Sequence, residues 1–271
     1  MRCNPRFSPI AVAIAGFTLV ELMVALVAGL IVSAAVLAFF FSSMKSNGEY
    51  VQSTRLTQEL RNILDLMSRD VRRAGSDDDS LKYVGNTNLS QFTPMCLTAA
   101  GAPSTCVGTG GVGDCIVYGY DRSYPNGGTT LVGTLGMLDV SKGEVRGLRR
   151  RTATVNGTTV GVIEYAESSG ATKPSCGGAE AVYTSFPPTC NTTSLWCPLS
   201  DPARVDITQL QITNNSSQVG VNPSALLTRN FDFRLTGRLP ANSDFTRDVQ
   251  ASLKIRSDCM RAAISNCNAS P

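Results

Sequence analysis

One carboxylate stands where an apolar segment ordinarily has none. Glu21 lies inside a run from Ile10 to Phe41 that is otherwise almost wholly apolar. A charged side chain at the centre of a membrane helix costs about 2.5–3.5 kcal/mol on insertion scales, and such a residue marks a function by default. Three other groups of residues have the types needed for chemistry. Cys96, Cys106, Cys115, Cys176, Cys190, Cys197, Cys259 and Cys267 all follow the apolar run, and only Cys3 precedes it. An even number of cysteines on one side of such a segment fits a disulfide framework formed in an oxidising compartment. They contain no tight CxxC pair and the chain has no histidine, so a zinc site has little to draw on. Arg146, Arg149, Arg150 and Arg151 form a basic cluster that phosphates could occupy. No aromatic stacking set accompanies it, and a strand with one solvated arginine face accounts for it as well. The run Asp77-Asp78-Asp79 has carboxylates for a hard cation, but its spacing is that of a solvated loop at a helix end. Without histidine the Ser-His-Asp and Cys-His arrangements are excluded, and no GxxxxGK[ST] phosphate loop occurs. No catalytic, metal or cofactor site is expected, and a non-enzymatic structural protein is favoured over an anchored periplasmic enzyme or binding protein.

These residues need elements to position them. Leu22–Phe41 gives 20 uncharged residues, which as a helix span about 30 Å, the thickness of a hydrocarbon core. Arg2 and Arg6 precede the run and set the N-terminus in the cytoplasm. A plain signal anchor, or a secretory signal cut near Val32-Ser33-Ala34, would also fit the apolar run, but both leave Glu21 unexplained. Beyond Lys45 the helical pattern continues: Leu56, Leu60, Ile63, Leu64, Met67 and Val71 recur at three- and four-residue steps. No proline lies between Phe17 and Gly75, and Gly75 followed by Ser76 and Asp77 is a stop signal, so the helix is expected over about Phe17–Ala74.

After about residue 80 the period changes to two. Strands are expected at Asp114–Tyr120, Gly133–Val140, Glu144–Thr152, Thr159–Ala166, Val205–Asn214, Asn230–Gly237 and Arg247–Arg256. They should form an antiparallel sheet on the exported half of the helix, since no crossover helices separate them. Gly101–Gly113 and Ser168–Ser200 read as long loops held by cross-links. Two short loops suggest the pairs Cys96–Cys106 and Cys259–Cys267; the pairing of the other four cysteines is left open.

The string GFTLVELMVALVAGLIV (Gly16–Val32) closely resembles the class III signal of type IV pilins and pseudopilins. The resemblance implies that a membrane peptidase cuts after Gly16, that Phe17 becomes an N-methylated N-terminus, and that Glu21, the fifth mature residue, is an assembly contact. The leader departs from the family pattern: Ile10–Ala15 is apolar where a basic residue commonly precedes the glycine. The carry-over is physically reasonable, because the cut creates an amine four residues from Glu21, and a buried charge is tolerated when it meets its counter-charge. GDCIVYGYD (Gly113–Asp121), EVRGLRRRT (Glu144–Thr152) ahead of VIEYAE (Val162–Glu167), and QASLKIRS (Gln250–Ser257) look like PilW-type minor pilins. Type II secretion pseudopilins are the nearest rivals.

The resemblance implies the α+β pilin fold, with a long N-terminal helix packed on an antiparallel β-sheet domain with disulfide-bonded loops. It divides the chain into a leader (1–16), a transmembrane and filament-core segment (17–44), an exported amphipathic segment (45–75) and a β-rich domain (76–271). The implied partners are a prepilin peptidase, other minor and major pilins, an inner-membrane assembly platform and a tip adhesin. The implied location is the inner membrane in a single pass, with the β-rich domain periplasmic, and then the pilus. Nucleic acid is not an expected partner: loss of Arg2 and Arg6 leaves 22 basic and 21 acidic residues, a net charge of +1.

Overall fold

The computed structural model describes residues 16, 18–77, 90–99, 102, 104–122, 136–155, 157–185, 187–221, 226–240, 242–260 and 264–271. The chain divides into two compact units, Met1–Val51 and Gln52–Pro271. One helix, α1 (Leu19–Val71), runs through the boundary. In the first unit its apolar side chains are exposed from Leu19 to Met44, and Phe39 keeps 77% of its surface open. That much uncovered apolar surface needs a lipid or protein environment. In the second unit Leu56, Leu60, Ile63, Leu64, Met67 and Val71 are buried, the stripe that the three- and four-residue spacing dictates. The helix stops where Gly75 turns left-handed (φ 73°). The left-handed backbone is what requires glycine there; a Cβ would in addition displace the tip of Arg229, whose Nη2 lies 2.5 Å from its position.

Twelve strands follow, forming three antiparallel sheets among the described residues. The first is five-stranded, in the order β1 (Met95–Thr98), β3 (Cys115–Gly119), β4 (Val145–Val155), β5 (Thr158–Glu167), β6 (Trp196–Pro198). The second is four-stranded, in the order β11 (Asn242–Lys254), β10 (Asn230–Leu239), β7 (Asp206–Asn214), β2 (Val112–Gly113). A small third sheet joins β12 (Cys259–Met260), β9 (Leu226–Thr228) and β8 (Ser217–Val219). The expected single sheet is thus divided. The division falls where β5 meets β7: Gly161 N–H donates to Asp206 Oδ1 at 2.7 Å and Arg150 Nε donates to Ile207 O at 2.7 Å, side-chain bonds in place of a ladder. The backbones cross closely enough that a Cβ on Gly161 would lie 1.8 Å from Ile207 O. One core joins the inner faces: the α1 stripe, Ile116, Tyr118, Leu148 and Ile163 from the first sheet, and Ile207, Ile212, Phe231, Phe233 and Leu253 from the second.

Several expected elements are corrected. The described part of Gly133–Val140 is a turn leading into a 3-10 helix at Val140–Lys142; residues 133–135 lie outside the described set. Left-handed Gly136 and the Asp139 carboxylate, which accepts from Ser141 N–H at 2.9 Å, favour the turn over a ladder. The two long loops are not wholly irregular: the first contains β2 and the second β6. β11 begins five residues before Arg247.

All eight cysteines after the apolar run are joined, as Cys96–Cys106, Cys115–Cys176, Cys190–Cys197 and Cys259–Cys267. The first and last of these are the short-loop pairs suggested by spacing. The pair Cys115–Cys176 spans 61 residues and ties β3 to the segment before β6.

Candidate functional site

The residues that open α1 form a local bonded unit. Thr18 N–H donates to Glu21 Oε2 at 3.1 Å, and Thr18 Oγ1 donates to the same oxygen at 3.1 Å. Glu21 N–H donates back to Thr18 Oγ1 at 3.2 Å. This reciprocal pattern is a capping box, which satisfies amides that the first helical turn leaves without partners. The first helical bond, Leu22 N–H to Thr18 O at 3.2 Å, places Thr18 at the start of the helix. Gly16 is exposed and a Cβ there would meet nothing within 4 Å, so the backbone before the helix is accessible. Phe17 and Cys3 lie outside the described residues. The structure therefore brings Glu21 to Thr18, one residue from the Gly16–Phe17 bond. The sequence reading missed Thr18, although T-x-x-E before an apolar run is itself a helix-start signature.

The arginine cluster serves a different purpose from either sequence reading. Arg149 and Glu164 are paired across β4 and β5, with Nε–Oε2 2.8 Å and Nη2–Oε2 2.7 Å, and both side chains are almost fully buried. Arg149 also donates to the carbonyls of Cys176, Gly178 and Ala179, and its guanidinium lies 4.0 Å from the Trp196 ring centre. Glu164 accepts in addition from Ala181 N–H and Tyr183 Oη. Burial first, then the charge of Glu164, holds the Tyr183 hydroxyl far above the ordinary phenol range. Arg146 bonds Asp70 of α1 at 3.2 Å and Glu167 at 2.6 Å, while Tyr118 and Tyr120 donate to Asp70 at 2.5 and 2.8 Å. Burial and then Asp70 raise both tyrosines well above their ordinary range. With Arg150 on Ile207 O, three of the four arginines are consumed inside the fold and only Arg151 is exposed. A solvated arginine face is therefore not what the cluster forms. Among the described residues no cluster of three or more His, Cys, Asp or Glu could hold a metal. Asp78 and Asp79 of the acidic run lie outside the described residues.

A signal-type apolar helix opened by a Thr–Glu capping box, followed by an amphipathic continuation under antiparallel sheets with disulfide-bonded loops, defines a type IV pilin-like protein. The chain belongs to the family of prepilin peptidase-dependent protein B, whose model matches residues 49–255. The prokaryotic N-terminal methylation motif matches residues 13–37, which include Gly16, Phe17 and Glu21. No curated protein and no solved structure matches the chain. The prepilin signal with its apolar helix makes the N-terminal segment a membrane anchor.

Proposed function

We propose that this chain is a minor pilin of the PilW type in a type IV pilus system. Prepilin peptidase cuts it after Gly16, the amine of Phe17 is methylated, and the subunit helps to initiate the filament near its tip with other pilins. Residues 1–16 are the leader, 17–44 the membrane and filament-core segment, 45–75 the exported amphipathic segment, and 76–271 the periplasmic and then extracellular domain. The observation that carries this reading is the position of the Glu21 carboxylate, bonded to Thr18 N–H, one residue from the amine that the cut would create. A carboxylate fixed there is a ready partner for the cleaved amine of its own chain or of a neighbour. Exchange between those partners gives one segment two environments: the bilayer before assembly and a packed bundle of helices after it.

The test is N-terminal mass spectrometry of the mature protein in membranes and in sheared filaments. The expected protein begins at methylated Phe17 and occurs in filaments at low abundance. An N-terminus at Met1 or Ala35, or confinement to the membrane fraction in cells that make filaments, would overturn the reading.

A further inference from the structure

β11 is the edge of the four-stranded sheet, and among the described residues nothing pairs with its outer side. One bond fixes which of its backbone groups face outward. Ile255 N–H donates to Arg229 O at 3.0 Å, and the register continues from there with Phe231 opposite Leu253, Phe233 opposite Ala251 and Leu235 opposite Val249. Facing residues of an antiparallel pair alternate between exchanging both bonds and exchanging none. Those three pairs therefore make the ladder bonds. Asp248, Gln250, Ser252 and Lys254 turn their N–H and C=O groups away from β10. The bond from Asn215 N–H to Asn230 O (2.9 Å) on the far side of β10 obeys the same alternation.

The result is a row of donors and acceptors that no described strand pairs with, extending over roughly 20 Å. Native edges are normally blunted by proline, a bulge or charged side chains, and here the charges, Asp248 and Lys254, stand only at the two ends of the row. The stretch 248–254 has no proline, and the register shift in this pair lies at the other end, at Arg238/Leu239. Beside the edge, a cavity of about 440 Å³ separates Val249 and Ala251 from a wall formed by Arg61, Leu64, Asp65 and Ser68 of α1 and by Arg72 just past its end. Leu64 and Ser68 are buried, and Ser68 Oγ has no hydrogen-bond partner among the described residues. The wall carries uncompensated positive charge. Asp65 pairs with Arg69 and Asp248 pairs with Arg234, whereas Arg61 and Arg72 have no ion-pair partner among the described residues.

We propose that the β11 edge docks an extended segment of another polypeptide by strand addition. The added strand carries small or apolar side chains and at least one carboxylate toward α1. Only a strand offers N–H and C=O groups at the repeat of Asp248, Gln250, Ser252 and Lys254. Leu64, Val249 and Ala251 select apolar side chains, and Arg61 and Arg72 select the carboxylate. This surface is separate from the Thr18–Glu21 junction and does not depend on how that junction is used.

The test uses the full-length protein in detergent with a capped ten-residue Thr/Val peptide, about 1 mM, carrying one Glu among the Val positions. N-methylation of its Val and Glu residues leaves one hydrogen-bonding edge free. Amide exchange at Asp248, Gln250, Ser252 and Lys254 is expected to slow about tenfold, as nine-tenths occupancy gives. Gln250→Pro removes an outward N–H, so it should abolish the slowing while keeping the fold. Ala251→Pro removes a ladder bond to Phe233 and should lower the denaturation midpoint. The proposal is overturned by no slowing, by equal slowing with a fully N-methylated peptide, or by equal destabilisation from the two proline variants. Protection that rises with protein concentration in the absence of peptide would put a second copy on the edge and overturn the choice of partner.

Discussion

Glu21 carries two roles that a single alanine substitution would mix, and the capping box allows them to be separated. Its carboxylate accepts two bonds from Thr18, both 3.1 Å, so Glu21→Ala removes the reciprocal half of the capping box, a contribution of about 0.3–1.5 kcal/mol. The same change removes a carboxylate from a lipid-facing helix, a relief with a ceiling of about 2.5–3.5 kcal/mol, the value for a charge at a helix centre. The net effect before assembly is a gain, so Glu21→Ala should persist in the membrane and be cut after Gly16 as usual. Glu21→Gln keeps the capping geometry, since glutamine serves at that position, and removes only the charge. Within a filament either variant leaves an amine without its counter-charge, at a cost of about 3–5 kcal/mol for a broken buried pair. Thr18→Ala has the complementary effect: it weakens the cap and keeps the charge. The expected order of incorporation into sheared filaments is wild type, then Thr18→Ala, with Glu21→Ala and Glu21→Gln both excluded. Immunoblots of membrane and filament fractions read this directly. If Glu21→Gln enters filaments at the wild-type level, the carboxylate acts only as a cap and the charge-pairing argument is refuted.

Three further outcomes concern the second unit, Gln52–Pro271. Arg149→Met leaves Glu164 buried without its cation and should lower folding stability by about 3–5 kcal/mol, read as a denaturant midpoint; a shift under about 1 kcal/mol would show that the pair is not buried in solution. Tyr118, Tyr120 and Tyr183 all have hydroxyls raised above their unfolded value near 10, so their contribution is complete below about pH 10 and is lost as pH rises toward the folded values. Phenolate absorbance from these three should appear only with unfolding; native-state ionisation at about pH 10.5 would contradict their burial. Removing Cys115–Cys176, which closes a 61-residue separation, should cost about 4 kcal/mol, against about 2 kcal/mol for Cys190–Cys197, and equal losses would count against the loop-entropy account.

The helix was legible because burial and period coincide: every residue of the stripe from Leu56 to Val71 is buried, at the spacing read from the sequence. Among the long strands β10 was legible for the same reason at period two, its burial alternating along Asn230–Leu239. β1 was not, because Met95–Thr98 has only four residues, all buried, and shows no alternation over that length. β2, β8, β9 and β12 have two or three residues each, too few for any period to appear. The arginine cluster was misread although the rule that corrects it was available. Successive residues of a strand point to opposite faces, so Arg149 and Arg151 cannot share a face with Arg146 and Arg150.

What no local pattern supplies is register. Arg149 opposite Glu164 depends on how β4 aligns with β5, fifteen residues apart in sequence. Asp70 receiving Tyr118, Tyr120 and Arg146 depends on the rotation of α1 over the first sheet. Apolar burial is non-directional and would tolerate neighbouring rotations of the stripe. The three bonds on Asp70 are directional, and they lie in the last turn of α1. The sequence pattern thus decides which face of the helix is buried, and the polar contacts at its end decide the angle at which it sits. That angle also fixes the wall presented to the β11 edge, because Arg61 and Ser68 share α1 with Asp70 and Arg72 follows directly on its last turn.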